Sequence, residues 1–166
     1  MKTVLLFFAA LSTVVLLTHC AQKGVDNVDT VGGLMNEGMS MLRAERYEEA
    51  TLYFDKALEE SPWEMGALHG KGAALTRLGR FEEALGVYNR SLQINSSDPI
   101  AWNDKGLVLS LMGRGDEALE AIDRSITIKP GYADAWFNKA TVLGELGRYE
   151  EEIVAFEKAR ELNSPK

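Results

Sequence analysis

The chain has 166 residues, of which 46% are apolar and 26% are charged, and this composition excludes an intrinsically disordered or a collagen-like chain. Its formal net charge of -7 and isoelectric point near 4.9 argue against nucleic acid as a partner, because non-specific binding to phosphates needs a basic surface. One cysteine cannot form an internal disulfide, and with two histidines the sequence predicts neither a metal site nor a cofactor.

The first predicted element is an apolar segment, residues 4–18, which carries no charge and follows Lys2. A membrane-spanning helix needs about 20 apolar residues, whereas the apolar part of a signal peptide needs about 7 to 15. We therefore expect residues 1–19 to be a signal peptide and the remainder to be extracytoplasmic.

The end of this segment resembles the lipobox of prokaryotic lipoproteins, through Leu17, Thr18 and Cys20. The resemblance implies that Cys20 is acylated and becomes the first residue of the mature chain, which would be anchored in the cell envelope. His19 departs from the pattern, which has a small residue at that place. The alternatives are an ordinary signal peptide cleaved near Ala21, giving a secreted protein, and an uncleaved anchor.

Residues 20–30 contain Gly, Asn and Asp and have no apolar periodicity, which predicts a flexible tether. Fully extended, these residues would reach about 36 to 40 Å. The domain that follows is therefore expected to lie close to the membrane surface.

The rest of the chain repeats every 34 residues. Gly79, Gly113 and Gly147 lie at this spacing within the similar strings TRLGRFEEAL, SLMGRGDEAL and GELGRYEEEI. The period divides the chain without insertions into four units, namely 31–64, 65–98, 99–132 and 133–166. Repeat positions are counted below from the first residue of each unit.

Apolar residues recur at spacings of three and four on both sides of position 15, which predicts a helical hairpin in each unit. We expect the first helix at positions 1–14 and the second at positions 18–30, giving eight helices in all. Position 15 is Glu45 in the first unit and glycine in the others, and glycine there favours a left-handed turn. Pro62, Pro99 and Pro130 lie near the unit junctions, where proline stops or starts a helix.

Small residues within the predicted helices indicate where those helices approach each other. Position 8 is glycine in the first three units, and glycine costs a helix about 1 kcal/mol relative to alanine. Repeat position 20, which lies in the second helix, is alanine in the same units. We therefore expect the helices of a hairpin to cross at these positions, with the large residues of positions 11 and 24 on either side. The position 8 residues are Gly38, Gly72, Gly106 and Ala140, and the position 24 residues are Phe54, Tyr88, Ile122 and Phe156.

These positions resemble the tetratricopeptide repeat (TPR), in which Trp or Leu at 4, Gly at 8, Ala at 20 and an aromatic residue at 24 recur. The resemblance implies an all-α fold, a right-handed superhelical α-solenoid of four TPR hairpins with a concave groove lined by the first helices. Such proteins bind peptides or partner proteins. The departures are Glu45 at position 15, Glu152 at position 20, and Ser96 and Ser164 in place of the proline often found at position 32.

By the same resemblance, repeat positions 2, 5, 6, 9, 12 and 13 line the groove. The predicted partner-binding residues are Met35, Asn36, Met39, His69, Thr76, Arg77, Ile100, Asn103, Asp104, Leu107, Phe137, Asn138 and Thr141. Met and Phe offer adaptable apolar area and Asn can hydrogen-bond an extended backbone. The alternative is that some of these residues only pack between hairpins. One TPR subgroup clamps a terminal carboxylate with Lys and Asn, and Met35 and Met39 replace them here.

The last helix differs from the other second helices, because it carries Glu152 at position 20 and Arg160 at position 28. These charges lie two helical turns apart on one face, so we expect this helix to cap the array. The alternative is that the two charges reflect relaxed packing in a terminal unit. Ile153 and Phe156 would then form an exposed apolar surface that supports a homodimer.

The sequence contains no catalytic Ser/His/Asp set, phosphate-binding loop or metal cluster, so we do not expect an enzyme. We expect a protein-protein interaction adaptor or scaffold that holds a peptide or protein partner in its groove at the membrane. The alternatives are an oligomeric structural component of an envelope assembly and an accessory subunit of an envelope enzyme.

If Cys20 is acylated, Cys20→Ala should release the protein from membranes and abolish labelling with a fatty-acid probe. Fractionation and probe labelling of the two proteins measure both effects. Unchanged membrane retention, together with no labelling of the wild type, would contradict the lipoprotein hypothesis.

Overall fold

The computed structural model describes residues 30–164, and all regular structure in this range is α-helical. The eight helices are α1 (Val31–Arg43), α2 (Tyr47–Glu60), α3 (Met65–Arg77), α4 (Phe81–Ile94), α5 (Pro99–Leu111), α6 (Gly115–Ile128), α7 (Ala133–Glu145) and α8 (Tyr149–Asn163). The predicted all-α solenoid is confirmed for this range, with helix boundaries within one residue of expectation. The predicted signal peptide (residues 1–19), the proposed lipid attachment at Cys20 and residues 21–29 of the predicted tether lie outside the described residues.

Side chains cap α1, α3 and α5 at their amino ends, whereas Tyr132 before α7 forms no such bond. Thr30 accepts a hydrogen bond from the Gly33 amide at 3.1 Å, and Asp98 accepts one from the Ile100 amide at 2.9 Å. Pro99 occupies the first turn of α5, where its fixed φ suits the helix and its missing N–H has no partner to lose. These caps explain why α1, α3 and α5 begin where their repeats begin.

The turn inside each hairpin has the same backbone in all four units. Gly79, Gly113 and Gly147 have φ of +73°, and Glu45 has φ of 58°, which confirms the predicted left-handed turn. The Arg80 amide donates to the Leu75 carbonyl at 2.9 Å, and equivalent bonds close the other three turns. This pattern is the Schellman motif, which satisfies the last carbonyls of the first helix.

The arginine that follows each turn pairs with the glutamate three residues later. Arg80, for example, donates through Nε and Nη2 to the Glu83 carboxylate at 2.6 and 2.7 Å. The corresponding pairs are Arg46 with Glu49, Arg114 with Glu117 and Arg148 with Glu151. Because these pairs are exposed, each stabilises its turn only slightly.

The helices of a hairpin approach closely at position 8, as predicted. A Cβ atom at Gly72 would lie 2.6 Å from Cζ of Tyr88, and one at Gly38 would lie 2.7 Å from Cε1 of Phe54. The nearest neighbour is therefore the side chain at position 24, rather than the small residue at position 20 as expected. The position 20 alanines Ala50, Ala84 and Ala118 are fully buried.

Successive hairpins stack because each second helix packs against the first helix of the next unit. Helix α2 contacts α3, α4 contacts α5 and α6 contacts α7, and the first helices also contact one another. Lysines reinforce two of these junctions, Lys71 with Asp55 at 2.5 Å and Lys139 with Asp123 at 2.6 Å. The buried apolar residues of the described chain form three clusters, and Leu85 and Val87 each pack against two of them, so residues 30–164 contain their own core. Within that range no helix has both the length and the apolar character to cross a bilayer.

Gly72→Leu should destabilise the protein by about 1 to 3 kcal/mol or more, because the new side chain would collide with the buried ring of Tyr88. Gly86, on the exposed side of α4, has room for a side chain, because a Cβ atom there would meet no atom within 4 Å. Gly86→Leu is therefore the matched control and should be neutral or stabilising by up to about 1 kcal/mol. Thermal and denaturant unfolding measure both, and equal stability of the two variants would refute this packing.

Candidate functional site

The first helices form a continuous face that we name the groove face, defined as repeat positions 2, 5, 6, 9, 12 and 13 of α1, α3, α5 and α7. Large apolar side chains are exposed along it. The exposed fractions are 38% for Met39, 42% for Ile100, 38% for Leu107, 52% for Leu111 and 49% for Phe137. An apolar stripe of this kind favours contact with a partner, because its burial would release ordered water.

The predicted partner-binding residues differ in their exposure. The exposed ones are Asn36, Met39, Arg77, Ile100, Leu107, Phe137 and Thr141. The half-buried ones are Met35, His69, Thr76, Asp104 and Asn138. Asn103 is the exception, because only 3% of it is exposed.

Asn103 connects two repeats instead of facing solvent. Its Oδ1 accepts a hydrogen bond from Nδ2 of Asn138 at 2.9 Å, and its own Nδ2 donates to Asp104 at 3.1 Å. The side chain therefore packs between α5 and α7 and is not available to a partner, which corrects its assignment to the binding surface. A second polar link joins the same helices, since the Ser110 hydroxyl donates to Glu145 at 2.7 Å.

His69 is linked to the start of α5 through Asp98, the last residue of its own repeat and the amino-terminal cap of α5. Its Nε2 lies 2.8 Å from Oδ2 of Asp98, which is only 6% exposed, and 3.2 Å from Oγ of Ser91. Asp98 was missed in the sequence, because it lies 29 residues after His69 in the chain. The available signal was its place directly before Pro99, which is typical of a helix cap at the edge of the groove face. Among the described residues no group of three potential ligands could hold a metal ion.

Carboxylates make this part of the groove face negative. Burial is the main reason that the pKa of Asp104 is raised above its ordinary value, and the charges of Asp98 and Asp134 raise it further. The hydrogen bond from Asn103 and the proximity of His69 oppose this shift. Asp104 is therefore a half-buried carboxylate whose negative charge is incompletely compensated.

The same carboxylates also raise the pKa of two tyrosines. Burial, followed by the charges of Asp104, Asp134 and Asp98, raises the pKa of Tyr132 to about 12. The pKa of Tyr88 is also raised, first by burial and then by Asp104. Both phenols are therefore neutral hydrogen-bonding groups at physiological pH, and neither is a candidate nucleophile.

Comparison with known families agrees with this architecture. A model described as "TPR repeat" matches residues 72–113, and two described as "Tetratricopeptide repeat" match residues 100–132 and 121–153. Residues 72–153 thus match tetratricopeptide repeats, and the repeat architecture is that of a protein-interaction scaffold. No curated protein matches the sequence.

Several solved structures that share this fold are of MamA. One crystal structure of MamA is 23% identical with a TM-score of 0.72, and the match covers 86% of this chain and 83% of that one. MamA from Desulfovibrio magneticus RS-1, residues 41 to the end, is 21% identical with a TM-score of 0.71, over 81% of this chain and 76% of that one. At these identities the likeness establishes the fold alone.

Asp104→Asn should stabilise the protein at neutral pH. A raised carboxyl pKa means that the folded state holds the proton more tightly than the unfolded state, so stability is lost as pH rises through that pKa. The amide removes this loss and can still accept the bond from Asn103. We expect a higher Tm than wild type at neutral pH and a smaller difference in acid, measured by thermal unfolding. Glu59→Gln, at an exposed position of α2, is the control. A larger increase in Tm for Asp104→Asn in acid than at neutral pH would contradict the raised pKa of Asp104.

Proposed function

We propose that this protein is a non-catalytic adaptor that binds an extended segment of a partner protein along the groove face, at the extracytoplasmic surface of a membrane. The observation that carries the proposal is the apolar stripe from Met39 through Leu107 to Phe137, exposed on three of the four first helices. A segment lying across this stripe would contact successive repeats at once. Adaptable Met and Leu side chains suit recognition of apolar residues on such a segment.

The polar groups of the groove face also indicate what charge the bound segment carries. Asp104 lies half-buried beside the apolar stripe, and within residues 30–164 its carboxylate forms no ion pair with a Lys or Arg. A partner segment with apolar residues and a positive charge therefore fits this face better than an acidic one. Thr141 and Asn36 are exposed and can hydrogen-bond the backbone of the segment.

The proposed location depends on residues 1–19 and Cys20. A signal peptide followed by an acylated cysteine would place the repeats outside the cytoplasm and within a tether's length of the lipid surface. An adaptor held there would concentrate its partner at the membrane.

A photo-activated crosslinking residue in place of Leu107 or Phe137, in the full chain within intact envelopes, should give the same partner adduct from both positions. Leu52 is the matched control position, because it is 61% exposed but belongs to the second helix α2. It should give no such adduct. Mass spectrometry identifies the crosslinked segment and its composition.

Substitution then tests the energetics of the contact. Leu107→Ser should weaken capture of that partner by about tenfold or more, because a leucine buried on binding contributes about 1.5 to 3 kcal/mol. Leu52→Ser should leave capture unchanged. Adducts from Leu52 alone, or equal loss of capture in both variants, would place the binding surface elsewhere.

A further inference from the structure

The face of α8 that lines the end of the array is uncovered among the described residues. In the upstream repeats the position 24 side chain is buried beneath the first helix of the next unit, with Phe54 and Ile122 each 0% exposed. The equivalent Phe156 is 43% exposed. The same contrast holds at position 21, where Leu119 is 7% exposed and Ile153 is 59% exposed. This end of the molecule therefore presents side chains that the fold buries in the preceding repeats.

We name this surface the α8 face and define it by the six residues that line a depression of about 310 Å³, namely Tyr149, Glu152, Ile153, Phe156, Glu157 and Arg160. Its centre is apolar and its edge is charged. The Phe156 ring meets the Phe137 ring edge-on, with centroids 5.3 Å apart. The predicted cap is thus only partial, because Glu152 and Arg160 flank the apolar centre and leave it exposed.

The two charges are placed symmetrically about Phe156. Glu152 precedes it by four residues and Arg160 follows it by four, which is about 6 Å along the helix in each direction. The Glu152 carboxylate lies about 3.0 Å from the position that a Cβ atom would take at Gly144, so the absence of a side chain at Gly144 leaves room for it at the edge of the face. A second α8 running antiparallel, with its Phe156 opposite the first, would place each arginine opposite a glutamate.

We propose that the α8 face binds a second copy of this chain, with the two α8 helices antiparallel about a two-fold axis near Phe156. Tyr149, Ile153 and Phe156 of each copy would be buried at the centre. Two symmetry-related ion pairs, each from Glu152 of one copy to Arg160 of the other, would close the edges. The antiparallel direction is also that of the first helix that covers α2, α4 and α6 within the array. The contact is isologous, so it closes at a dimer.

The internal junctions argue against head-to-tail stacking as the occupant of this face. At two of the three junctions an acid at position 25 pairs with a lysine at position 7 of the following first helix, as Asp55 does with Lys71. The position 25 residue of α8 is Glu157, and position 7 of α1 is Glu37. Docking α1 of another copy onto α8 would therefore oppose two carboxylates, whereas the two-fold arrangement pairs opposite charges.

Charge exchange tests both the partner and the register. Residues 25–166 contain the self-contained core and the whole α8 face, so sedimentation of this fragment reports the association. We expect the wild type to be dimeric at high concentration. Glu152→Arg and Arg160→Glu should each weaken dimerisation by about tenfold or more, because each creates two like-charge contacts. An equimolar mixture of the two variants should form a heterodimer, because one copy then carries two positive charges at these positions and the other two negative charges, so both contacts pair opposite charges.

Glu59→Arg, which changes the same charge on exposed α2, is the control and should dimerise like the wild type. Circular dichroism verifies that each variant is folded, and capture between two tagged forms of the full chain should give the same pattern. A wild type that stays monomeric overturns the proposal, as do assemblies larger than a dimer. Single variants that still self-associate, or a mixture that fails to associate, exclude this register. None of these results depends on the groove face, so the proposed function is tested separately.

Discussion

The structure depends on the contact between a large side chain at repeat position 24 and the glycines that let it approach a helix backbone. Phe54 illustrates the constraint, because its ring lies against Gly38 of its own hairpin and Gly70 of the next. One side chain thereby sets both the crossing within a hairpin and the stacking between hairpins. Because Tyr88 and Ile122 meet Gly72 and Gly106 in the same way, the crossing recurs along the chain. A close-packed contact repeated at a fixed interval produces a solenoid.

The groove face follows from this stacking, because the first helices become neighbours only when the hairpins pack. Polar pairs that link one first helix to the next then determine which side chains remain available. His69 is paired with Asp98, and Asn138 with Asn103, so these groups hold the first helices together. The apolar residues between them stay exposed. The same groups that hold the groove in shape also concentrate negative charge on it.

Much of the fold could be predicted from the chain, since helix boundaries, turn conformation and close helix approach all depend on residues near one another in sequence. Glu45 adopts the left-handed turn of its glycine counterparts, which the repeat register alone indicated. The residue that contacts the position 8 glycine was predicted less well. Alanine at position 20 is buried as expected, but the nearest atoms to the glycine belong to the large side chain one turn later, which fills the crossing.

The sequence by itself determined the number of repeats, the hairpin within each and the composition of the first-helix surface, because period, turn and helix propensity are local properties of the chain. The tertiary structure alone decided which of those surface residues are free. Asn103 could not be distinguished from Asn36 by pattern, yet one is buried in a link between repeats and the other is exposed. The physical reason is that these residues find partners beyond their own helices, Asn103 in Asn138 of α7 and His69 in Ser91 of α4 and Asp98 before α5, and packing sets where those helices lie.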